Sequence, residues 1–442
     1  MPLKFVFGPS GSGKSTYLYQ HVIEESEKYP LKNFIVLVPE QFTMQTQKDL
    51  VSMHPRHGIM NIDVLSFARL AYRVFEETGT KQMQVLDDEG KNLILRKIAG
   101  DYENKLTVLK GNIKKLGYIS EVKSVISEFT QYDIGEEEMD EMLDHLDEDS
   151  RLYYKLKDIR LLYEGFQDYL RERYITKEEL LDVLSSQVKE SNFLKDSVVV
   201  LDGFTGFTPV QNRLILELMR CCKEVWVTVT MDERENPYSY KHPYQLFGLS
   251  KQMVTTLVRM AGEDHIEVEE PVCLYGYPVK RFEKNQELAF LERNIFRYGS
   301  GRYDKAVENL EIHAAGNPRQ EADAVAEGIR RLVRKEQYRY RDIGVIVSDM
   351  NVYGDYLEQA FENYGIPVFM DHKRSILLNS FVEYIRSLLN MAEKNFSYES
   401  VFRFLRTNLA GFACEEVDEL ETMCSDWESG DIKAGRTVGS AD

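Results

Sequence analysis

A glycine-rich stretch near the amino terminus carries residue types that can hold a nucleoside triphosphate. It fits the pattern glycine, any four residues, glycine, lysine, then serine or threonine. In this pattern the lysine reaches the terminal phosphates, the hydroxyl after it ligates Mg²⁺, and the glycines let the backbone approach phosphate oxygens. An ordinary glycine-rich turn with a solvated lysine is the alternative. The predicted nucleotide-binding residues are Gly8, Pro9, Ser10, Gly11, Ser12, Gly13, Lys14, Ser15 and Thr16.

An acidic residue further along the chain is a candidate for the metal side of the same site. Asp202 follows the apolar run 198–201. An acid at the carboxyl end of a buried strand next to a phosphate loop can hold Mg²⁺ through water. We therefore predict that Asp202 and Ser15 are the metal-side residues. The alternative for Asp202 is an ordinary acid in a turn that ends a strand.

The phosphate loop requires a strand before it and a helix after it, because loop N–H groups and the helix N-terminus together form the anion site. The apolar run 5–7 and a helical pattern through Glu27 supply both. Further strands are predicted at 33–39, 60–66, 198–202 and 225–232, and a helix is predicted at 67–75. This alternation predicts an α/β fold of the P-loop NTPase type.

The rest of the chain divides into segments that differ in charge and in the periodicity of their apolar residues. Residues 81–194 read as long, charged amphipathic helices, which predicts a helical insertion. Its acidic stretch 136–149 is either a solvated face or a patch that docks a basic partner. A second α/β unit is predicted from strands at 310–315, 343–347 and 366–369 and helices at 321–333 and 353–364. The tail 434–440 has no periodicity, which suggests a chain cut short.

Composition narrows the class of protein. A chain of 442 residues predicts two or three domains, and a net charge of -18 argues against a generally basic nucleic-acid binder without excluding a locally basic DNA channel. No stretch is apolar enough to cross a membrane, so we expect no membrane association and a cytoplasmic location. The scattered cysteines predict buried free thiols: Cys221, Cys222, Cys273, Cys414 and Cys424.

Two α/β units, a helical insertion and an amino-terminal phosphate loop resemble the UvrD-like helicases, and the detailed match is to the AddB family. AddB proteins are B subunits of bacterial ATP-dependent helicase/deoxyribonucleases that process DNA double-strand breaks. Five segments resemble AddB motifs: 7–15, 37–43, 65–71, 201–211 and 365–375.

The resemblance implies tandem RecA-like domains and a set of ligands. The first domain would comprise 1–80 and 195–290, the insertion 81–194, and an incomplete second domain 300–442. It implies ATP and Mg²⁺ as cofactors, an AddA-type helicase/nuclease subunit as heterodimer partner, and DNA double-strand ends and single strands as ligands. The family's nuclease and its iron–sulfur cluster belong to a carboxyl-terminal part, and the cysteines here match none of the cluster's spacing.

The resemblance also implies contacts with single-stranded DNA. Helix starts rich in Ser, Thr and Gln suit phosphate hydrogen bonds, and an aromatic ring suits base stacking. The alternatives are that Thr43 and Ser66 cap helices, that Phe67 belongs to the core, and that Lys373 and Arg374 are simply solvated. The implied DNA-binding residues are Gln41, Thr43, Ser66, Phe67, Arg69, Lys373 and Arg374.

Two departures from an active helicase are visible. Active UvrD-like motors carry a glutamate after the metal-side aspartate to polarise the attacking water, but Gly203 follows Asp202. We also expect the glutamine-containing segment that recognises adenine to be missing, because few residues precede Phe5. We therefore expect no catalytic residue here and a subunit that binds ATP, contributes to the DNA channel and scans for a recognition sequence. The alternatives are a self-sufficient P-loop enzyme, either a small-molecule kinase or an active helicase, and a scaffold that binds no nucleotide.

Overall fold

The computed structural model describes residues 2–79, 84–112, 115–171, 174–299, 301–370 and 376–437. The chain forms two compact units, Met1–Glu311 and Ile312–Asp442. The strands of the first unit are β1 Leu3–Gly8, β2 Phe34–Leu37, β3 Ile62–Leu65, β4 Gln84–Leu86, β5 Tyr174–Thr176, β6 Val198–Leu201, β7 Glu224–Thr230 and β8 Val272–Cys273. Its helices are α1 Lys14–Lys28, α2 Thr43–Met53, α3 Phe67–Thr78, α4 Asp88–Asp101, α5 Leu116–Gln131, α6 Glu136–Asp144, α7 Arg151–Leu170, α8 Leu180–Gln187, α9 Pro209–Cys221, α10 Gly248–Glu263 and α11 Gln286–Asn294.

A six-stranded parallel sheet organises the first unit, in the order β3-β2-β6-β7-β1-β8. Every residue of β2 and β6 is buried, as a parallel strand covered on both faces requires. Alternate side chains pack into two cores. One contains Phe5, Phe7 and the apolar faces of α3, α8, α9 and α10, and the other contains Val6 with α1 and α2. The predicted α/β fold is thus confirmed for this unit.

The helices start and stop where local chemistry dictates. Ser66 caps α3 by accepting a hydrogen bond from the Arg69 N–H, and the helix ends at Gly79, which has a φ of 66°. Thr208 and Gln211 form a capping box at the start of α9, with Pro209 at the first helical position. These caps fix where α3 and α9 begin against the sheet.

The predicted helical insertion has its own core, formed by apolar residues of α4, α5, α6 and α7 between Leu86 and Leu170. Buried Asp158 of α7 accepts hydrogen bonds from the backbone N–H groups of Thr107, Val108 and Leu109. By contrast, α8 packs into the core of the large sheet, although it lies inside the predicted insertion range. The three-part domain division expected from the sequence stays a prediction.

The second unit differs from expectation. Its helices are α12 Pro318–Lys335, α13 Met350–Asn363, α14 Ser380–Glu393, α15 Tyr398–Leu405 and α16 Cys414–Thr437. The predicted helices are present as α12 and α13, which pack together around Ala326 and Phe361. The strands predicted at 310–315, 343–347 and 366–369 are wrong, because no described segment pairs with these runs. The described residues of the second unit contain no strand, so they supply no sheet for a second RecA-like domain.

Two other expectations concern the cysteines and membranes. All five cysteines are free, but only Cys222 is buried. Cys273, on the two-residue edge strand β8, and Cys414, the first residue of α16, are exposed, so the expectation of buried thiols is wrong for both. Within the described ranges, none of the helices is long and apolar enough to span a bilayer.

Candidate nucleotide-binding site

The candidate site lies at the carboxyl-terminal edge of the large sheet, where all six parallel strands end. The glycine-rich loop follows β1 and Asp202 follows β6. β7 lies between β1 and β6, so the strand that precedes Asp202 is not adjacent to the strand that precedes the loop. The cavity at this edge has a volume of about 470 Å³ and is lined by Ser10, Gly11, Gly13, Lys14, Ser15, Thr16, Asp202, Gly203, Phe204, Thr205, Thr228, Thr230, Lys280 and Arg281.

The loop has the backbone conformation that a phosphate cradle needs. Gly11 and Gly13 have φ angles of 82° and 94°, in the left-handed region that glycine favours. A Cβ at Gly11 would lie 2.7 Å from the Cβ of Arg281, so a side chain there would clash with Arg281. The hydroxyl of Ser12 is buried and has no hydrogen-bond partner among the described residues. An acceptor oxygen of a ligand would satisfy it.

Lys14 is folded back over the loop. Its Nζ donates to the carbonyl oxygens of Gly8 and Pro9 at 2.9 and 3.0 Å. Burial lowers the pKa of Lys14 from its usual 10.5 to about 8, although nearby Asp202 acts in the opposite direction. The hydrogen bonds of the Lys14 ammonium thus go to neutral carbonyl oxygens, and a bound phosphate would supply an anionic partner that favours the charged form.

Asp202 is buried and accepts hydrogen bonds from three hydroxyl groups. Ser15 Oγ and Thr228 Oγ1 lie 3.2 and 2.6 Å from its Oδ1, and Tyr19 Oη lies 2.7 Å from its Oδ2. Thr228 in turn accepts from the Gly203 N–H at 3.3 Å. The structure therefore brings the two predicted metal-side residues, Ser15 and Asp202, into direct contact. Hydroxyl and carboxylate oxygens are hard donors of the kind that Mg²⁺ prefers, so the residues fit this ion.

Sequence reasoning missed two cations of the site. Lys280 and Arg281 begin the short 3-10 helix Lys280–Phe282, and the Arg281 N–H donates to the Gly11 carbonyl at 3.0 Å. The one available signal was a pair of basic residues shortly after the apolar run 272–274. With only two paired residues, β8 carries no strand pattern that would have placed them next to the loop.

The position after Asp202 supplies no side chain to the site. Gly203 is exposed and has a φ of 79°, a conformation that L-amino acids rarely adopt. Asp202 is the one carboxylate among the described residues that line the cavity. The arrangement can therefore hold a phosphate chain and a divalent cation, but it offers no second acid to orient water.

The predicted DNA-binding residues that the structure describes follow β2 and β3 at the same sheet edge. Gln41 and Arg69 are exposed, whereas Thr43, Ser66 and Phe67 are buried. The Thr43 hydroxyl donates to the Glu40 carbonyl, and Ser66 caps α3. The Phe67 ring packs against Phe204 and Phe207, with centroids 5.3 and 6.4 Å away. Lys373 and Arg374 lie outside the described residues.

Ser15 and Asp202 would have to share a metal ion with ligands from outside the protein. Across the described ranges, no group of three or more His, Cys, Asp or Glu side chains could hold a metal ion. A site for Mg²⁺ beside these two residues would accordingly depend on oxygens from the nucleotide and from water.

Comparisons with known proteins bear on the family. The sequence model of the family described as "ADDB, N-terminal" matches residues 5–292. A protein of Lachnoclostridium phytofermentans is 45% identical over 428 residues, and one of Clostridium kluyveri is 35% identical over 421 residues. A third, from Caldanaerobacter subterraneus subsp. tengcongensis, is 36% identical over 424 residues. All three are named as the B subunit of an ATP-dependent helicase/deoxyribonuclease.

The coverage of these alignments is unequal. Each covers 95% of this chain but only 37%, 36% and 36% of the three relatives, respectively. The chain thus spans little more than a third of the length of the relatives it matches. Since the family model covers well over half of the chain, the chain belongs to the AddB family and matches its amino-terminal region.

Proposed function

We propose that this chain is the helicase-like amino-terminal part of an AddB-type subunit, which binds ATP with Mg²⁺ but does not act as a motor. The observation that carries the proposal is the cavity where Lys14, Ser15 and Asp202 converge while Gly203 stands beside Asp202. Family membership supports the setting, since the relatives are named as the B subunit of an ATP-dependent helicase/deoxyribonuclease. In our proposal that complex processes DNA double-strand breaks.

In this proposal each group has a defined task. Lys14 exchanges the carbonyls of Gly8 and Pro9 for the terminal phosphates, and loop N–H groups and the start of α1 bind the phosphate oxygens. Mg²⁺, when bound, neutralises phosphate charge. The Ser15 hydroxyl and the Asp202 carboxylate would hold the metal side of the site. Lys280 and Arg281, which lie beside the loop, add positive charge to the cavity.

The proposed lack of hydrolysis rests on geometry as well as composition. Loss of a positioned general base typically costs about 10²–10⁴-fold in rate. No described cavity residue replaces the glutamate that is missing at Gly203. A glutamate placed there would have to adopt a left-handed backbone conformation, so the local fold itself disfavours the missing side chain.

DNA and a partner subunit complete the proposal. Gln41 and Arg69 are exposed at the sheet edge and are suited to phosphate contacts, whereas Phe67 could stack on a base only after leaving Phe204 and Phe207. With a net charge of -18, the chain would depend on an AddA-type helicase/nuclease subunit for much of its attraction to DNA. Recognition-sequence scanning would be a task of the assembled complex.

Purification from the native cells tests this function. The protein is affinity-tagged, isolated at low salt, and assayed with linear duplex DNA. We expect an AddA-type subunit to co-purify in about equal amount, and DNA ends to be degraded only when ATP and Mg²⁺ are present. A preparation that contains no AddA-type subunit, or that shows no ATP-dependent degradation, would contradict the proposal.

A further inference from the structure

We propose that Tyr19 is a positioning residue for Asp202 and sets the Mg²⁺ dependence of nucleotide binding. The inference rests on the proposed function, since it concerns the same nucleotide site. Tyr19 lies one helical turn after Ser15 on α1, so both side chains leave the same face of the helix. From the sequence alone it reads as one more apolar residue of an amphipathic helix.

The contact between Tyr19 and Asp202 is buried and short. Tyr19 is 6% exposed and Asp202 is 5% exposed. The Tyr19 hydroxyl donates to Asp202 Oδ2 at 2.7 Å, while Thr228 donates to Oδ1 at 2.6 Å. These two bonds, one to each oxygen, fix the plane of the carboxylate, which is held from α1 on one side and from β7 on the other.

A third residue completes the chain of hydrogen bonds. Thr46 Oγ1 of α2 lies 3.3 Å from the Tyr19 hydroxyl. Because Tyr19 gives its proton to Asp202, its oxygen is free to accept the proton of Thr46. Tyr19 therefore joins α1 and α2 to the acid that follows β6.

The role of Tyr19 becomes important when the metal binds. If Ser15 gave its hydroxyl to Mg²⁺, Tyr19 and Thr228 would be the groups left to hold the Asp202 carboxylate in its orientation. Without the Tyr19 hydroxyl, Oδ2 loses its donor in a buried environment and the carboxylate can rotate. Loss of a hydrogen bond that orients a metal-site residue typically lowers metal affinity about 10–100-fold.

The test compares Tyr19→Phe with Tyr17→Phe. Tyr17 is on the same helix, and its hydroxyl makes no hydrogen bond to the described residues. A fluorescent ATP analogue is titrated in EDTA and at increasing Mg²⁺ concentration. For Tyr19→Phe we expect unchanged affinity in EDTA and a half-saturating Mg²⁺ concentration raised about 10–100-fold. Tyr17→Phe should match the wild type in both. A positioning role is separated from a structural one because only the Mg²⁺ dependence changes.

Three further outcomes would contradict the inference or test it in another way. Equal Mg²⁺ dependence in wild type and Tyr19→Phe would overturn it. If Tyr19→Phe fails to fold, Thr46→Val is tested in its place. A rise in the half-saturating Mg²⁺ concentration supports the role of the Thr46–Tyr19–Asp202 hydrogen bonds, and no change overturns it. A wild-type protein that binds no nucleotide under any condition would overturn the proposed function, and the inference with it.

Discussion

Lys14 should make nucleotide binding depend on pH in a way that its surroundings determine. Burial lowers its pKa to about 8, but phosphate contact requires the charged ammonium. A bound phosphate replaces two carbonyl partners by a strong anion and raises the pKa again. Binding should therefore take up about half a proton at pH 8, about nine tenths at pH 9 and about one tenth at pH 7. Over the same range, affinity should fall about tenfold between pH 7 and pH 9.

Stability should change with pH in the opposite direction. The folded-state pKa of Lys14 lies below its usual 10.5, so the unfolded chain binds more protons between about pH 8 and 10.5. The contribution of Lys14 to the free energy of unfolding therefore rises as pH increases through this window. If nucleotide affinity falls above pH 8, unfolding caused by the titration of Lys14 therefore cannot be the reason.

Titration calorimetry measures the proton directly. ATP is titrated at pH 8 in Tris and in HEPES, whose ionisation enthalpies differ, and the difference in heat gives the number of protons taken up. Lys28→Ala is the matched control, because Lys28 is exposed at the far end of the same helix and pairs with Glu25. It should take up the same half proton as the wild type. Tight binding at pH 8 with no proton uptake would refute the assignment of Lys14 as the phosphate-contacting group.

Three further outcomes are expected. Gly203→Glu should not create ATPase activity and should cost about 1–2 kcal/mol in urea unfolding, because its backbone is left-handed; Lys14-dependent phosphate release by this variant would contradict the reasoning. Asp158→Ala should destabilise the insertion core by about 2–4 kcal/mol, because it leaves the N–H groups of 107–109 without acceptors, and Asp158→Asn should cost less. The isolated chain should bind duplex DNA weakly in filter binding and leave it undegraded with Mg²⁺, since its net charge is -18; tight, salt-insensitive binding would show that local charge dominates.

The sequence predicts the first unit well because its signals are local. Runs such as 34–37 and 198–201 are apolar at every position, and a parallel strand covered on both faces is the natural structure for them. The spacing of the glycine-rich loop likewise places Lys14 and Ser15 at a helix start. Its pairing with Asp202 followed from the rule that acids at the ends of parallel strands meet at one edge.

The errors and omissions all concern contacts between distant segments. The run 343–347 has the composition of a strand, but a strand exists only where another segment pairs with it. Phe67 suits base stacking and core packing equally well in sequence, and the neighbouring rings of Phe204 and Phe207 decide its present position. Arg281 lies next to the loop because the chain before it pairs with the sheet as β8, a two-residue strand that has no periodic pattern. Tyr19 becomes a polar partner only because Asp202 lies opposite it.

The central claim is that the phosphate loop binds nucleotide without turning it over. A fluorescent ATP analogue is titrated against the wild type and Lys14→Ala, and phosphate release is followed on the same preparations with and without DNA. We predict saturable binding by the wild type, much weaker binding by Lys14→Ala, and phosphate release at background for both. Identical binding curves would contradict the phosphate-binding role of Lys14, and rapid release that requires Lys14 would contradict the claim that the motor is inactive.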